Sequence, residues 1–208
     1  MSALPKVILI HGNGGSTAGD IWLPWLEREL TKLGLVVVNR TFPDNVKARA
    51  QYWLPFLEEL GAGEDTILIG HSSGAVAAMR YAETHRLLGS ILVGVCYTDL
   101  GDGLEAASGY YRAPWQWRQI RDHQRWIAIY HSSDDPHIPV AEPRFIAAQL
   151  QCCYFEFEDR GHFVDSREFP EVLQFVKRKL GSSGPDDSGN TSRGGRGGRG
   201  GDALLRRT

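Results

Sequence analysis

The chain has 208 residues, 42% hydrophobic and 23% charged, the balance of one ordinary soluble domain with a sizeable core. Its formal net charge of -2 excludes a general electrostatic pull toward nucleic acid or anionic membrane. The three cysteines, Cys96, Cys152 and Cys153, are odd in number and two are adjacent, which argues against a disulfide framework or metal site and for a reducing compartment.

The first apolar run, Lys6 to Ile10, reads as a strand and is too short for the apolar core of a signal peptide. No stretch reaches the ~18 apolar residues of a membrane span. These points lead to the expectation of a cytoplasmic monomer, with the nucleus also open to a chain this small.

A glycine-rich loop follows the first strand, "HGNGGS" from His11 to Ser16. It lacks the G-x-G-x-x-G spacing and the phosphate-binding lysine of nucleotide sites. A helix is predicted over about Leu23 to Lys32, a strand over Leu35 to Arg40, and a helix over Val46 to Leu60, which Pro55 is expected to break or kink. The strand Thr66 to Ile69 runs into "GHSSG" and a helix from Gly74 to Thr84. The next strand is predicted at Ser90 to Val95.

The connection from Val95 to Trp126 spans about 30 residues, a length that in compact domains carries function or structure of its own. It contains "GYYRAPWQW", residues 109 to 117, and a helix is predicted from Pro114 to Asp122. Tyr110, Tyr111, Trp115 and Trp117 are candidates to line an apolar substrate pocket; the plainer alternative is a surface helix packing its aromatics on the core. Strands at Trp126 to Tyr130 and Cys153 to Phe157 and helices at Glu142 to Leu150 and Glu168 to Leu180 complete the pattern.

From Gly181 to Thr208 the chain has no aromatic residue and is net basic, with "RGGRGGRGG" at residues 193 to 201. Such a segment cannot bury enough surface to offset its ordering entropy, and it is predicted to be disordered. Two units are therefore expected: a domain over residues 1 to 180 and a Gly/Arg-rich tail over 181 to 208. Arg-Gly-Gly repeats can contact RNA through arginine. The short tract without interleaved aromatics predicts a solvated extension first and weak RNA contact second.

Continuous apolar strands alternating with helices predict a parallel sheet of about six strands covered on both faces. Ligands in such sheets sit at the carboxyl ends of the strands. "GHSSG" there fits G-x-S-x-G, in which a serine held in a sharp strand-to-helix turn presents its hydroxyl above the sheet. Ser72 is the predicted nucleophile, and the following backbone N–H, Ser73, a predicted oxyanion donor at a helix N-terminus. The competing reading is a serine that merely caps the helix.

A serine needs a base, and the base an orienting carboxylate, in the chain order Ser, Asp or Glu, His. His162, in "EDRGHFVD" after the last strand, is the candidate base. Asp135 and Asp134, in "HSSDDPHIP", compete for the orienting role, with Asp135 favoured by its spacing to Ile138-Pro139. The second oxyanion amide is expected from Gly12, Asn13 or Gly14. No metal or cofactor is called for.

"GNGG", "WLPF", "GHSSGAVAAMRYAETHR", "GYYRAPWQW", "DDP" and the late "GH" together resemble the retinoblastoma-binding protein 9 family over about residues 5 to 180. These are small serine hydrolases of the α/β-hydrolase fold with a minimal cap. The resemblance implies a Ser-Asp-His triad on Ser72, Asp135 and His162, in keeping with the nucleophile and base read above and with the favoured one of the two competing aspartates. The family's proposed pocket-protein motif, L-x-C-x-E, reads Leu60-Gly61-Ala62-Gly63-Glu64 here, so the alanine removes the expectation of a retinoblastoma-type partner through it. The predicted function is hydrolysis of an ester, thioester or amide of a small-molecule acyl substrate, and the alternative is an interaction adaptor on a hydrolase scaffold.

Overall fold

The computed structural model describes residues 4–181. The expectations for the Gly/Arg tail therefore lie outside the described residues, apart from Gly181, which closes the last helix. Six strands, β1 (Lys6–Ile10), β2 (Val36–Asn39), β3 (Thr66–His71), β4 (Leu87–Val93), β5 (Gln124–Ser132) and β6 (Cys153–Phe157), form one sheet in the order β2-β1-β3-β4-β5-β6. Every pairing is parallel, as continuous apolar runs predicted.

The helices are α1 (Leu23–Lys32), α2 (Ala50–Glu59), α3 (Ser73–Ala82), α4 (Gly103–Ser108), α5 (Trp117–Asp122), α6 (Ala141–Leu150) and α7 (Pro170–Gly181). Alternate strand residues point to opposite faces and build two separate cores. Val7, Leu9, Ile67 and Ile69 pack under α1 and α7, with Leu26 and Val176 among the residues that meet them. Ile8, Ile10, Leu68 and Leu92 pack under the other helices, with Trp53 from α2 and Val76 from α3. Each such fully buried aliphatic side chain contributes about 1.5–3 kcal/mol relative to an exposed one. Among the described residues no helix is long and apolar enough to cross a membrane, and the three cysteines are free.

Several predicted element boundaries are corrected. The helix predicted from Val46 begins only at Ala50, because Asp44 and Ala48 take positive φ, 52° and 48°, which no helix accommodates. Pro55 lies inside α2 without ending it. The strand predicted through Val95 ends at Val93, because Gly94 turns the chain with φ 57°. The long connection contains α4, which composition did not reveal; Asp102 caps it, its Oδ1 accepting from the backbone N–H of Leu104 and Glu105.

The chain crosses from one side of β1 to the other between β2 and β3. This opens a crevice at the carboxyl ends of β1 and β3, where open parallel sheets bind ligands. The loop from His11 and the turn at Ser72 both lie there.

Candidate active site

Ser72 joins β3 to α3 with φ 54° and ψ -122°, a conformation strained for a side chain with a Cβ. It occupies the N-cap position but makes no side-chain capping hydrogen bond, so its hydroxyl is not spent on the helix. The flanking glycines explain how the turn is held. A Cβ on Gly70 would come within 2.4 Å of the Gly74 backbone, and one on Gly74 within 2.4 Å of the Ile10 carbonyl oxygen. Both glycines of G-x-S-x-G are thus needed for α3 to sit this close to β1 and β3.

Ser73 is the first residue of α3, so its N–H is one of the first-turn donors without an intrahelical acceptor. Across the crevice, Gly12 packs on the turn; a Cβ there would be 3.3 Å from the Ser72 Cβ. The Gly14 and Gly15 amides are already engaged, donating to the Val46 and Asn45 carbonyls at 3.0 and 3.1 Å. This removes Gly14 from the oxyanion candidates and leaves Gly12 and Asn13.

His162 and Asp135 meet although they are far apart in sequence. Asp135 Oδ2 lies 2.7 Å from His162 Nδ1, and its Oδ1 accepts from the backbone N–H of His137 and Ile138. Burial opposes ionisation of the Asp135 carboxyl, but the His162 contact and the two amides outweigh it and hold it below the usual carboxylate range. With Asp135 ionised, His162 Nδ1 carries the proton and Nε2 is left as the basic nitrogen. Asp134 does other work: its Oδ1 accepts from Ser132 Oγ at 2.5 Å and from the Gly161 N–H at 2.9 Å, tying the end of β5 to the loop that carries His162.

Sequence reading missed four supports. Gly94 follows β4, and a Cβ there would lie 3.0 Å from His162 Cε1. Replacing it with alanine adds that contact to a positive φ, so Gly94→Ala is expected to lower kcat/KM roughly tenfold or more by displacing the imidazole, with a loss of about 1–3 kcal/mol in urea unfolding. The glycine ending an apolar strand was the available signal.

His71 is the second support. Its Nε2 lies 2.8 Å from the His162 carbonyl oxygen; a carbonyl only accepts, so Nε2 carries the proton and His71 is neutral. Burial lowers its pKa to about 3. His11 is also depressed by burial. It accepts from the Phe42 N–H through Nε2 and donates through Nδ1 to the Gly12 carbonyl. A histidine depressed on folding binds a proton more readily unfolded, so it costs nothing above pH ~6.5 and destabilises progressively as pH falls toward 3. For His71 stability is expected to fall by about 1.4 kcal/mol per pH unit over that range, with His11 adding a loss of the same sign. Urea midpoints from pH 7 to 4.5 test this; His71→Gln keeps a donor for the carbonyl and is expected to flatten the slope.

His131, fully buried near the end of β5, is the third: its Nδ1 lies 4.0 Å from Asp135 Oδ2. The fourth is Glu105 on α4. Its Oε1 accepts from Asn13 Nδ2 at 2.6 Å and its Oε2 from Tyr111 OH at 3.1 Å.

The aromatics of the long connection form a run of ring contacts from Tyr110 through Tyr111 and Trp115 to Trp117 but differ in depth. Tyr110 is buried in the core. Trp115 and Trp117 stack at 5.6 Å, with the Arg80 guanidinium 3.5 Å from the Trp115 ring centroid and the Trp115 Nε1–H donating to the Tyr97 carbonyl. Of two surface cavities, of about 390 and 240 Å³, neither is lined by Ser72, Asp135 or His162; one lies at Lys47, Arg49 and Arg112 and the other at Trp126 and Cys152. The Leu60–Glu64 segment precedes β3, at the opposite end of the strands from Ser72, and its Ala62 carbonyl accepts from Tyr81 OH.

The family model described as Serine hydrolase matches residues 7–177. The chain is 43% identical over 186 residues to Serine hydrolase RBBP9 of Rattus norvegicus, covering 86% of this chain and 98% of that protein. The solved structure of the ydeN gene product from B. subtilis is similar with a TM-score of 0.79 at 24% identity, covering 86% of this chain and all of that one. Est1E from Butyrivibrio proteoclasticus is similar with a TM-score of 0.68 at 14% identity, over 88% and 90% of the two chains. At these identities the two structures speak to the fold alone, and the fold is that of the α/β hydrolases.

Proposed function

The chain belongs to the serine hydrolase family, and on that premise we propose that it cleaves an ester, thioester or amide of a small apolar acyl substrate through Ser72, His162 and Asp135. The observation that carries this reading is the 2.7 Å contact between His162 Nδ1 and Asp135 Oδ2, with the His162 carbonyl bonded to His71, the residue that precedes the strained Ser72.

In this mechanism His162 Nε2 takes the proton from Ser72 Oγ as the oxygen attacks the substrate carbonyl. The developing oxyanion receives the Ser73 N–H and an amide of the Gly12–Asn13 loop. The imidazolium, stabilised by Asp135, returns the proton to the leaving group and frees an acyl-enzyme. Water, deprotonated by His162, then attacks the acyl carbonyl and releases the acid.

The apolar character of the acyl group is inferred from the aromatic residues Tyr97, Tyr111, Trp115 and Trp117, which pack together along the long connection. Labelling with a fluorophosphonate probe tests the nucleophile. Wild type is expected to react, folded Ser72→Ala to be silent, and His162→Ala to react far more slowly. A folded wild type that never reacts, and hydrolyses no activated acyl ester, refutes the proposal.

A further inference from the structure

Glu105 is the one carboxylate of α4, and its side-chain hydrogen bonds go to Asn13 and Tyr111 rather than to the proposed triad. It is half-buried, and both oxygens accept from neutral groups rather than from a cation. Oε1 takes Asn13 Nδ2 at 2.6 Å from the loop after β1. Oε2 takes Tyr111 OH at 3.1 Å, and Tyr111 OH lies 3.2 Å from Cys96 Sγ, just beyond β4. Because the phenol donates to the carboxylate, the Cys96 thiol is the donor in the second contact, and the chain runs in one direction into Glu105. The thiol is buried and its pKa is pushed up to about 12, so it stays protonated and keeps that role.

This arrangement is costly unless it is used. Burial pushes the Glu105 carboxyl up, against the hydrogen bonds from Tyr111 and Asn13. What the bonds achieve is positional. Asn13 lies between Gly12, packed on the Ser72 turn, and Gly14, anchored to Val46. Its side chain points away to α4, so the loop is held at three successive residues by three different elements.

We propose that Glu105 is a positioning residue, which fixes the Asn13 loop in the geometry that presents its amide to the oxyanion and couples α4 to the catalytic centre. The proposal rests on the serine hydrolase reading of the same site. Glu105 Oε1 accepts from Asn13 Nδ2, and that bond also sets which way the Asn13 amide faces. Loss of the tie is expected to affect the transition state more than substrate binding, because the oxyanion develops only during reaction.

The test is a double-substitution cycle with Ser72→Ala as control, using p-nitrophenyl butyrate. Glu105→Ala and Asn13→Ala are each expected to lower kcat about tenfold to a hundredfold with KM changed by less than about threefold. The double variant is expected to be no slower than the slower single, because both remove one bond. Glu105→Gln, which retains an acceptor for Asn13, is expected to restore most of kcat. The side-chain amide resonances of Asn13 in ¹⁵N spectra report the tie without turnover and are expected to shift in Glu105→Ala.

Multiplicative losses in the double variant, a change confined to KM, or unshifted Asn13 amide resonances would overturn the proposal while Ser72-dependent turnover persisted. Wild-type turnover that does not depend on Ser72 would instead sink the hydrolase reading, and this role with it.

Discussion

Replacement of Ser72 by alanine is expected to lower kcat for an activated acyl ester by about 10⁵–10⁶, to the residue of catalysis that binding and oxyanion donors alone provide. The size follows from the lack of a substitute. Ser73 is adjacent, but it lies in the first turn of α3 and is buried, so its hydroxyl cannot take over the elbow position. Folding is expected to survive, since the Ser72 side chain caps nothing. The variant still carries a Cβ at φ 54°, so the backbone strain of the turn stays in place. Steady-state hydrolysis with thermal melting decides it. A folded Ser72→Ala protein that retains wild-type turnover would place the nucleophile elsewhere.

The second large effect is expected at Asp135. Asp135→Asn preserves the size of the side chain but can turn an N–H toward His162 Nδ1, which favours the tautomer with its proton on the wrong nitrogen. A fall in kcat of about 10⁴ is expected on that ground. Asp134→Asn supplies the contrast, one residue away. Its Oδ1 serves Ser132 and the Gly161 amide, not the imidazole. It is expected to lose about 1 kcal/mol of stability and less than about tenfold in kcat, through a looser His162 loop. Equal losses from the two substitutions would mean that the 2.7 Å contact at Asp135 is not what orients the base.

The comparison of these two aspartates shows how far the sequence could be read. "DDP" placed an orienting carboxylate after the fifth strand, and spacing to Ile138-Pro139 favoured Asp135, but nothing in the string says what Asp134 holds. The parallel sheet was legible because its central strands are buried on both faces and so read as continuous apolar runs. Element ends were less legible. They turn on single backbone conformations, such as Ala48 at φ 48° and Gly94 at φ 57°, that tertiary packing imposes. The aromatic segment illustrates the same limit. Composition marked residues 109 to 117 as unusual, yet could not say that Tyr110 goes to the core while Trp115 and Trp117 stack on each other, with Arg80 over the Trp115 ring.

By itself, then, the sequence determined the local devices. It set a strand-turn-helix with glycines at the two positions where a Cβ would strike backbone, the alternation that buries both sheet faces, and the chain order of serine, aspartate and histidine. These depend on neighbours a few residues apart, whose geometry covalent sterics already restrict. Only the tertiary structure decided which long-range partners meet: His71 with the His162 carbonyl, Gly94 against its ring, and Glu105 with Asn13. Such contacts join residues tens of positions apart on different loops. Their distances are set by the register and twist of the whole sheet, which no short stretch of chain encodes.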